Sequence, residues 1–369
     1  MISKLKLFLS VYAVFIFQSV LHSEEIAAET LRFKTLNAVR TETAPMIDGN
    51  IDDEVWAKAK PVDDFLQFEP YNLVPASVRT EVRVLYDDDN LYIAFKNFDP
   101  NPPSVMKRMS RRDDYEVIGE QTDWVGFGLD SNNDDLTGYW FMLSAAEVQL
   151  DVSINETGGW RNMYDPSWDA VWDGKTSTHS EGWSAEIRVP FNVFQFTKDS
   201  EQVWGATFQR GYYANQEQIQ WPGRTKGSRG MIPHYGVISG IKDIPQPNSL
   251  ELVPYVLAGQ TQSDESNQEA NLGLDLRYNI NSSTTLNMTF NPDFGQVEAD
   301  PSVLNLSAFE TRLNEKRPFF VQGANFFNSW LNMFNSRRIG RRPSFIEPST
   351  GDIIDRPNET TILSAAKIL

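Results

Sequence analysis

The sequence predicts an all-β protein in which an antiparallel β-sandwich precedes a second β-region of different pattern. The first observation is a series of short alternating segments between Val78 and Ile241, separated by polar or glycine-rich turns. No long helical period interrupts this series, and many short strands of this kind fit a two-sheet sandwich. The second observation is a proline-containing joint at 245–248, after which the alternating segments become longer.

The N-terminus has the pattern of a secretory signal. Lys4 and Lys6 form a short positive region, the stretch from Leu5 to Leu21 is mostly apolar, and Ser23 is a small residue that can precede a cleavage site. The alternative is a membrane anchor, but the apolar run is short and has no stop-transfer flank. We therefore expect residues 1–23 to be removed when the protein is exported.

The composition excludes several kinds of site and argues against one class of partner. The chain has no cysteine, which excludes a lipoprotein anchor, disulfide bonds and thiolate metal sites. Its formal net charge of −17 would repel phosphate backbones and therefore argues against nucleic acid as a partner. His179 and His234 are the only histidines after the signal, too few for a convincing zinc site.

The run from Pro45 to Ala59 predicts a tight turn followed by a short helix. Gly49 and Asn50 accept the positive φ that such a turn requires. The carboxylates at 52–54 precede the apolar Trp56, as in a helix with an acidic first turn.

Several segments of the first region are predicted strands. The alternating segment Val78–Tyr86 is followed by an acidic turn at 87–90 and a return strand at Leu91–Phe95. Glu186 lies on an alternating strand, and we interpret it as an outward or paired carboxylate rather than a catalytic one. The remaining predicted strands are Trp124–Leu129, Gly138–Ser144, Trp183–Val189 and Val203–Gly211.

This region resembles carbohydrate-binding module family 9 between Thr43 and Ile241. The resemblance begins at 47–56, where Ile-Asp-Gly is followed by an acidic cluster and a tryptophan. It continues, in the same order as in the family, through the segments 83–94, 123–130, 182–191 and 235–238. The resemblance implies a sandwich over residues 43–241 that recognises a polysaccharide or oligosaccharide.

Tryptophans are the candidate sugar-binding residues, because the C–H face of a sugar stacks on a flat aromatic ring. Trp168 and Trp172 stand four residues apart, and this spacing suits a structural brace as well as a sugar platform. Sugar-binding members of family 9 hold the ligand between two tryptophans, and the resemblance places Trp221 at one of these positions. The other position falls within Ile118–Thr122, which contains no aromatic residue.

An acidic segment offers a candidate metal site. Asp130, Asn132 and Asp134 present oxygen ligands at alternate positions, which suits a hard cation such as calcium. The alternative is a solvated acidic turn, since the glycine and terminal glutamate of an EF-hand loop are absent. Family 9 modules often carry calcium, and the resemblance therefore makes calcium a candidate cofactor.

The C-terminal region contains longer alternating segments at Leu250–Gly259, Leu272–Ile280 and Leu286–Asn291. Segments of about ten residues with apolar and polar faces are typical of outer-membrane β-barrel strands. A soluble sheet with one solvated face carries the same alternation. The pattern alone does not distinguish the two.

Three further phrases resemble a bacterial family of unknown function, number 5916. They are Asn291–Pro301, Asn314–Phe320 and Ser336–Gly340. Members join a family 9-like module to a membrane β-barrel. The resemblance implies that residues 249–369 are the N-terminal part of an outer-membrane barrel in contact with lipid, with the sandwich in the periplasm or at the cell surface. The chain ends in the start of a strand, so we expect a fragment whose barrel is incomplete.

Three functions are compatible with these features. The first is non-catalytic glycan recognition by a sandwich attached to an outer-membrane barrel. The second is a glycoside hydrolase-associated protein acting on O-glycosyl bonds, which requires two facing carboxylates about 5–9 Å apart; none of the 50 acidic residues is singled out for that role. The third is a sandwich that plugs or gates a transport or secretion barrel.

Overall fold

The structure is a computed structural model. It describes residues 34–158, 163–166, 168–245, 250–262, 266–281, 284–292, 315, 317–321, 323, 336–340 and 360–369. The predicted signal at 1–23 and most of the predicted motif at 291–301 lie outside the described residues. None of the described helices is long and apolar enough to span a membrane.

The fold is all-β, as the sequence predicts. The chain divides into two compact units, which are described separately below. Unit 1 comprises Met1–Thr157 and Asp169–Gln246, and unit 2 comprises Gly158–Trp168 and Pro247–Leu369.

Unit 1 contains two β-sheets. A 3-10 turn at Glu54–Lys58 and one short helix, α1 (Tyr115–Glu120), lie outside the sheets. The strands are β1 (Thr35–Asn37), β2 (Val39–Arg40), β3 (Leu66–Glu69), β4 (Thr80–Tyr86), β5 (Asn90–Phe98), β6 (Trp124–Asp130), β7 (Thr137–Ser144), β8 (Gln149–Asn155), β10 (Asp173–His179), β11 (Gly182–Pro190), β12 (Glu201–Tyr212), β13 (Glu217–Trp221) and β14 (Gly236–Lys242).

The larger sheet has the order β1-β14-β12-β6-β7-β8, and β13 joins β3 to β12 beside it. The smaller sheet has the order β10-β11-β5-β4-β2. Most neighbours are antiparallel, but β1 and β2 pair in parallel with β14 and β4 respectively. The described part of unit 1 thus includes two strands on the N-terminal side of Thr43.

The two sheets pack face to face through aromatic side chains. Phe95 of the smaller sheet meets Phe208 of the larger one edge to face, with ring centroids 6.1 Å apart. Trp204 contacts Phe191 and Phe194 at centroid distances of 6.0 and 5.7 Å. All five side chains are at most 3 % exposed, so this aromatic layer forms the core of a β-sandwich.

The run from Pro45 to Ala59 covers the outer face of the smaller sheet. Gly49 has a φ of +91°, and a Cβ atom there would lie 2.4 Å from the carbonyl carbon of Thr176, so only glycine fits. Glu186 of β11 lies beneath this turn and is completely buried. Its carboxylate accepts hydrogen bonds from the backbone N–H groups of Asp48 (3.1 Å) and Gly49 (2.9 Å) and from Nε1 of Trp56 (2.7 Å). Glu186 is therefore a paired carboxylate that fastens the turn to the sheet.

Unit 2 contains a sheet with the order β15-β16-β17-β18 and antiparallel neighbours. Its strands are β15 (Leu250–Gln262), β16 (Ser266–Asn281), β17 (Thr284–Phe290) and β18 (Ser364–Ile368). The unit also contains the short strand β9 (Tyr164–Asp165) and the short helix α2 (Pro318–Val321).

This sheet exposes apolar side chains on one face and buries polar side chains on the other, a distribution called inverted polarity below. In register on one face are Leu250, Leu252, Val256, Leu272 and Ile368, which are 51–72 % exposed. The other face carries polar side chains of β17, namely Thr285, Asn287 and Thr289, which are at most 6 % exposed. A soluble sheet with one wet face has the opposite arrangement, with its apolar side chains buried.

Arg317, directly before α2, forms hydrogen bonds with groups on both sides of this helix in the chain. Its guanidinium donates to both carboxylate oxygens of Glu315 at 2.7 and 2.6 Å, and to the carbonyls of Ser336 and Ile339 at 2.7 and 2.8 Å. Lys367 of β18 donates to the carbonyl of Phe319 in α2 at 2.5 Å. These contacts fix α2 against the polar side of the sheet, since Lys367 is in register with Asn287 on that face.

Candidate functional site

A cavity of about 230 Å³ opens where β6 begins and β12 ends, on the larger sheet of unit 1. One wall is the end of α1 and the residues that lead into β6, from Gly119 to Thr122 and including Trp124. The other wall is the end of β12 and the start of β13, with Tyr213 and the stretch from Gln216 to Gln218. The lining combines aromatic rings with amides, a hydroxyl and carboxylates.

The first wall is built by local hydrogen bonds around α1. The Asp114 side chain caps the helix by accepting from the N–H of Val117 at 3.2 Å. After the helix, Nε1 of Trp124 donates to the carbonyl of Gly119 at 3.1 Å. The indole lies so close to Gly211 of β12 that a Cβ atom there would come within 2.1 Å of Nε1. The missing side chain of Gly211 therefore leaves the space that the indole occupies.

Asp123, directly before β6, is linked by a hydrogen bond to the wall that contains Tyr213. One carboxylate oxygen accepts from the N–H of Met106 at 2.8 Å, and the other accepts from the N–H of Tyr213 at 3.3 Å. Asp123 is 1 % exposed, and burial raises the pKa of its carboxyl group. The backbone position of Tyr213 is thus tied to a buried side chain at the start of β6.

Arg210 lies under the cavity on the opposite face of β12 and is completely buried. Its Nη1 donates to the carbonyl of Phe98 at 3.0 Å and to Oγ1 of Thr80 at 3.1 Å. Burial lowers the pKa of Arg210 to about 10, and the charges of Asp123 and Asp99 oppose that shift. Arg210 and these carboxylates form a polar centre between the sheets of the sandwich.

Glu217 is the buried carboxylate of the second wall, and it is 3 % exposed. It accepts from the N–H of Ser77 at 2.9 Å and forms a short hydrogen bond with the Ser77 hydroxyl. Gln216 follows a 3-10 turn and donates from its side chain to the carbonyl of Tyr213 at 2.9 Å. Tyr213 is half-buried and is a lining residue of the cavity.

The three candidate tryptophans lie elsewhere. Trp221 is 1 % exposed, and its ring packs against Phe208 with centroids 5.7 Å apart. Trp172 is 4 % exposed and donates from Nε1 to Asp151 at 3.1 Å, while Trp168 is 8 % exposed. The structure corrects the expectation that Trp221 stacks on a sugar, because a ring enclosed in the core has no face open to a ligand. The same burial removes Trp168 and Trp172 as platforms.

The candidate calcium ligands form a self-contained turn. Asp130 is 1 % exposed, burial raises the pKa of its carboxyl group to about 6, and its oxygens accept from the N–H groups of Asp134 (3.2 Å) and Asp135 (2.9 Å). Asp134 in turn accepts from the N–H and the hydroxyl of Thr137 at 2.7 and 2.6 Å. Asn132 lies within the same turn. Among the described residues, no group of three or more His, Cys, Asp or Glu is arranged to hold a metal ion.

Sequence reasoning indicated only one wall of the cavity, since the family 9 resemblance placed a clamp position within Ile118–Thr122 and residues 119–122 line the cavity. Tyr213, Gln216 and Gln218 come together only because β12 turns back into β13, and the sequence pattern of that turn resembles any polar loop. One local signal was available, since the adjacent aromatic residues at 212–213 end an otherwise alternating strand.

Two family models match the chain. Residues 47–221 match a model described as carbohydrate family 9 binding domain-like, and residues 246–369 match a domain of unknown function, DUF5916. The two matched segments follow one another along the chain. Both resemblances predicted from the sequence are therefore confirmed. The search of curated proteins finds no match.

Solved structures similar to the chain include a family 9 module from Caldicellulosiruptor kristjanssonii. Its complex with glucose is 16 % identical with a TM-score of 0.41, and the match covers 58 % of this chain and 100 % of the module. Its complex with cellotriose is 16 % identical with a TM-score of 0.40, and the match covers 56 % of this chain and 93 % of the module.

Proposed function

We propose that the family 9-like domain binds a saccharide, without cleaving it, in the cavity between α1–β6 and β12–β13. The observation that carries this proposal is the lining of the cavity. A half-buried tyrosine ring offers a surface for the C–H face of a sugar, and the surrounding amides, hydroxyl and carboxylates offer partners for its hydroxyl groups. The match to the family 9-like model supports the same function.

The size of the cavity suits a single sugar unit. Sites for drug-sized ligands occupy about 300–1,000 Å³, whereas this cavity measures about 230 Å³. A unit at the end of a glycan or a monosaccharide therefore fits inside it. Further units of a chain would lie outside, across the surface around the cavity.

The carboxylates of the cavity favour binding over hydrolysis. Only Glu120 and Glu217 among the described lining residues carry carboxylates. Glu217 accepts two hydrogen bonds from Ser77, so both of its oxygens are occupied by donors. Glu120 is exposed to solvent at the end of α1. With Glu217 held by Ser77, Glu120 is the other carboxylate of the described lining, whereas hydrolysis requires two carboxylates that act on the substrate.

Calorimetric titration tests the binding proposal. The full chain is titrated with mono-, di- and trisaccharides of glucose, xylose and N-acetylglucosamine. Removing the ring in Tyr213→Ala should weaken binding about tenfold, while Tyr213→Phe should bind like the parent. Released reducing ends are measured in parallel and should stay at the background level. Absence of heat with every saccharide would refute the proposal, and steady release of reducing ends would favour the hydrolase.

We also propose that unit 2 faces the lipid of an outer membrane, with its apolar sheet face against the acyl chains. The inverted polarity of β15–β18 supports this, because exposed Leu, Val and Ile with buried Thr and Asn is the arrangement of a strand between lipid and a polar interior. The match to DUF5916 covers the same residues. In this arrangement the sandwich stands in the periplasm or at the cell surface, where it meets glycans.

The absence of cysteine allows a direct test with single labelled positions. Leu272→Cys and Val171→Cys each place a polarity-sensitive dye on an exposed apolar position, 68 % exposed in unit 2 and 86 % exposed in unit 1. In phospholipid vesicles the dye at 272 should shift to shorter wavelength, and the dye at 171 should keep its aqueous emission. Identical aqueous emission at the two positions would refute lipid contact.

A further inference from the structure

Tyr115 is an aromatic residue that the fold leaves open to solvent. It is the first residue of α1 and is 59 % exposed, whereas Ile118 of the same helix is completely buried. The buried Ile118 anchors the helix to the sandwich, so the position of the exposed ring is fixed by a packed neighbour. The exposed Tyr115 therefore lies on a helix that is packed against the sandwich through Ile118.

The ring of Tyr115 lies on Gly119, one helical turn further along α1. A Cβ atom added to Gly119 would lie 3.3 Å from Cζ and 3.4 Å from Cε2 of the ring. The Cζ end of the ring therefore lies close to Gly119, while Tyr115 as a whole stays 59 % exposed. Because Gly119 is itself a lining residue of the cavity, Tyr115 stands next to the cavity rim on the α1 wall.

Tyr115 and Tyr213 lie on different walls. Tyr213 lines the cavity from the β12–β13 side, and Tyr115 adjoins it from the α1 side. A sugar bound in the cavity would lie beside Tyr213, and a linked unit on the side of the α1 wall would lie beside the exposed Tyr115.

We propose that Tyr115 forms a second subsite, a stacking platform for the sugar unit linked to the one held in the cavity. This inference rests on the proposed saccharide binding and deepens it. The ligand class that it specifies is an oligosaccharide or the end of a polysaccharide rather than a free monosaccharide. Trp221 takes no part, since its ring is enclosed in the core.

The test compares ligand length in Tyr115 variants of the full chain. Calorimetry with the mono-, di- and trisaccharide of the series that binds gives the gain in affinity with length. In the parent the disaccharide should bind about three- to tenfold more tightly than the monosaccharide, as one aromatic stacking contact provides. Tyr115→Ala should abolish that gain and leave monosaccharide affinity unchanged, and Tyr115→Phe should keep the gain.

Tyr71→Ala is the matched control, because Tyr71 is 68 % exposed and is not a lining residue of the cavity. It should bind all ligands like the parent. Equal loss of mono- and disaccharide affinity in Tyr115→Ala, or no loss at all, would overturn the subsite while leaving saccharide binding intact. Failure of the parent to bind any saccharide would overturn both proposals together.

Discussion

Replacing Glu186 by glutamine should change how the stability of the sandwich depends on pH. The carboxylate is completely buried, and burial raises its pKa from 4.5 to about 7, although the N–H groups of Trp56, Asp48 and Gly49 oppose that shift. In the folded protein the group therefore keeps a proton at pH values where the unfolded chain has lost it. Glutamine has the same shape and cannot titrate in this range.

The magnitude follows from the two pKa values. Below pH 4.5 both states bind the proton, and the stabilisation is complete. As the pH rises to about 7, the unfolded chain releases its proton first, and the free energy of unfolding falls by about 3 kcal/mol. Above pH 7 no further change arises from this group. Glu186→Gln should remove this part of the pH dependence.

Urea unfolding of the full chain, followed by tryptophan fluorescence between pH 4.5 and 8, measures the effect. Subtracting the variant from the parent cancels the other carboxylates that titrate in the same window. Glu181→Gln is the control, because Glu181 is exposed in the adjacent hairpin turn and pairs with Lys96. A constant offset between parent and Glu186→Gln across the range would refute the reasoning. It would mean that the three N–H donors keep the buried carboxylate ionised.

Three further predictions follow from the described contacts. Trp221→Ala should destabilise the sandwich by about 3–5 kcal/mol in urea unfolding, because it empties a core site beside Phe208; a variant as stable as the parent would contradict the burial. A calcium chelator should leave the melting temperature unchanged, since Asp130 and Asp134 already accept backbone N–H groups; a fall in melting temperature would restore the metal site. Arg317→Lys should speed proteolytic cleavage near 336–340, because lysine cannot form the bidentate contact with Glu315. An unchanged cleavage rate would count against that contact.

The strands of the sandwich could be predicted because alternation is a local property. The segment Val78–Tyr86 is predicted from its period of two, and the structure has β4 at Thr80–Tyr86. The turn at Asp48–Gly49 is likewise local, since glycine is required there by backbone geometry. The parallel pairing of β1 with β14 could not be predicted, because it joins residues about two hundred positions apart and leaves no mark on either segment.

The site could not be predicted in the same way. The sequence does not show whether a tryptophan near the end of a strand has its ring in the core or on the surface. Only the packing of Trp221 against Phe208 shows that this ring is in the core. The cavity requires α1, β6, β12 and β13 to meet, and each element contributes two or three ordinary polar residues. Tyr115 could not be predicted as a binding residue either, because its contact with Gly119 suggests a function only once the adjacent cavity is known.

The alternation that predicts a strand does not say which of its faces meets solvent. In β5 the apolar side chains of Ile93 and Phe95 are buried against the other sheet, whereas in β15 those of Leu252 and Val256 are 52 and 72 % exposed. Neither sequence states which face of the strand is covered, and the difference lies in what each sheet is packed against. Helix α2 lies on the polar side of β18, where Lys367 donates a hydrogen bond to the carbonyl of Phe319. The face that remains is the apolar one, and the proposal that it contacts acyl chains rests on the exposure of its side chains.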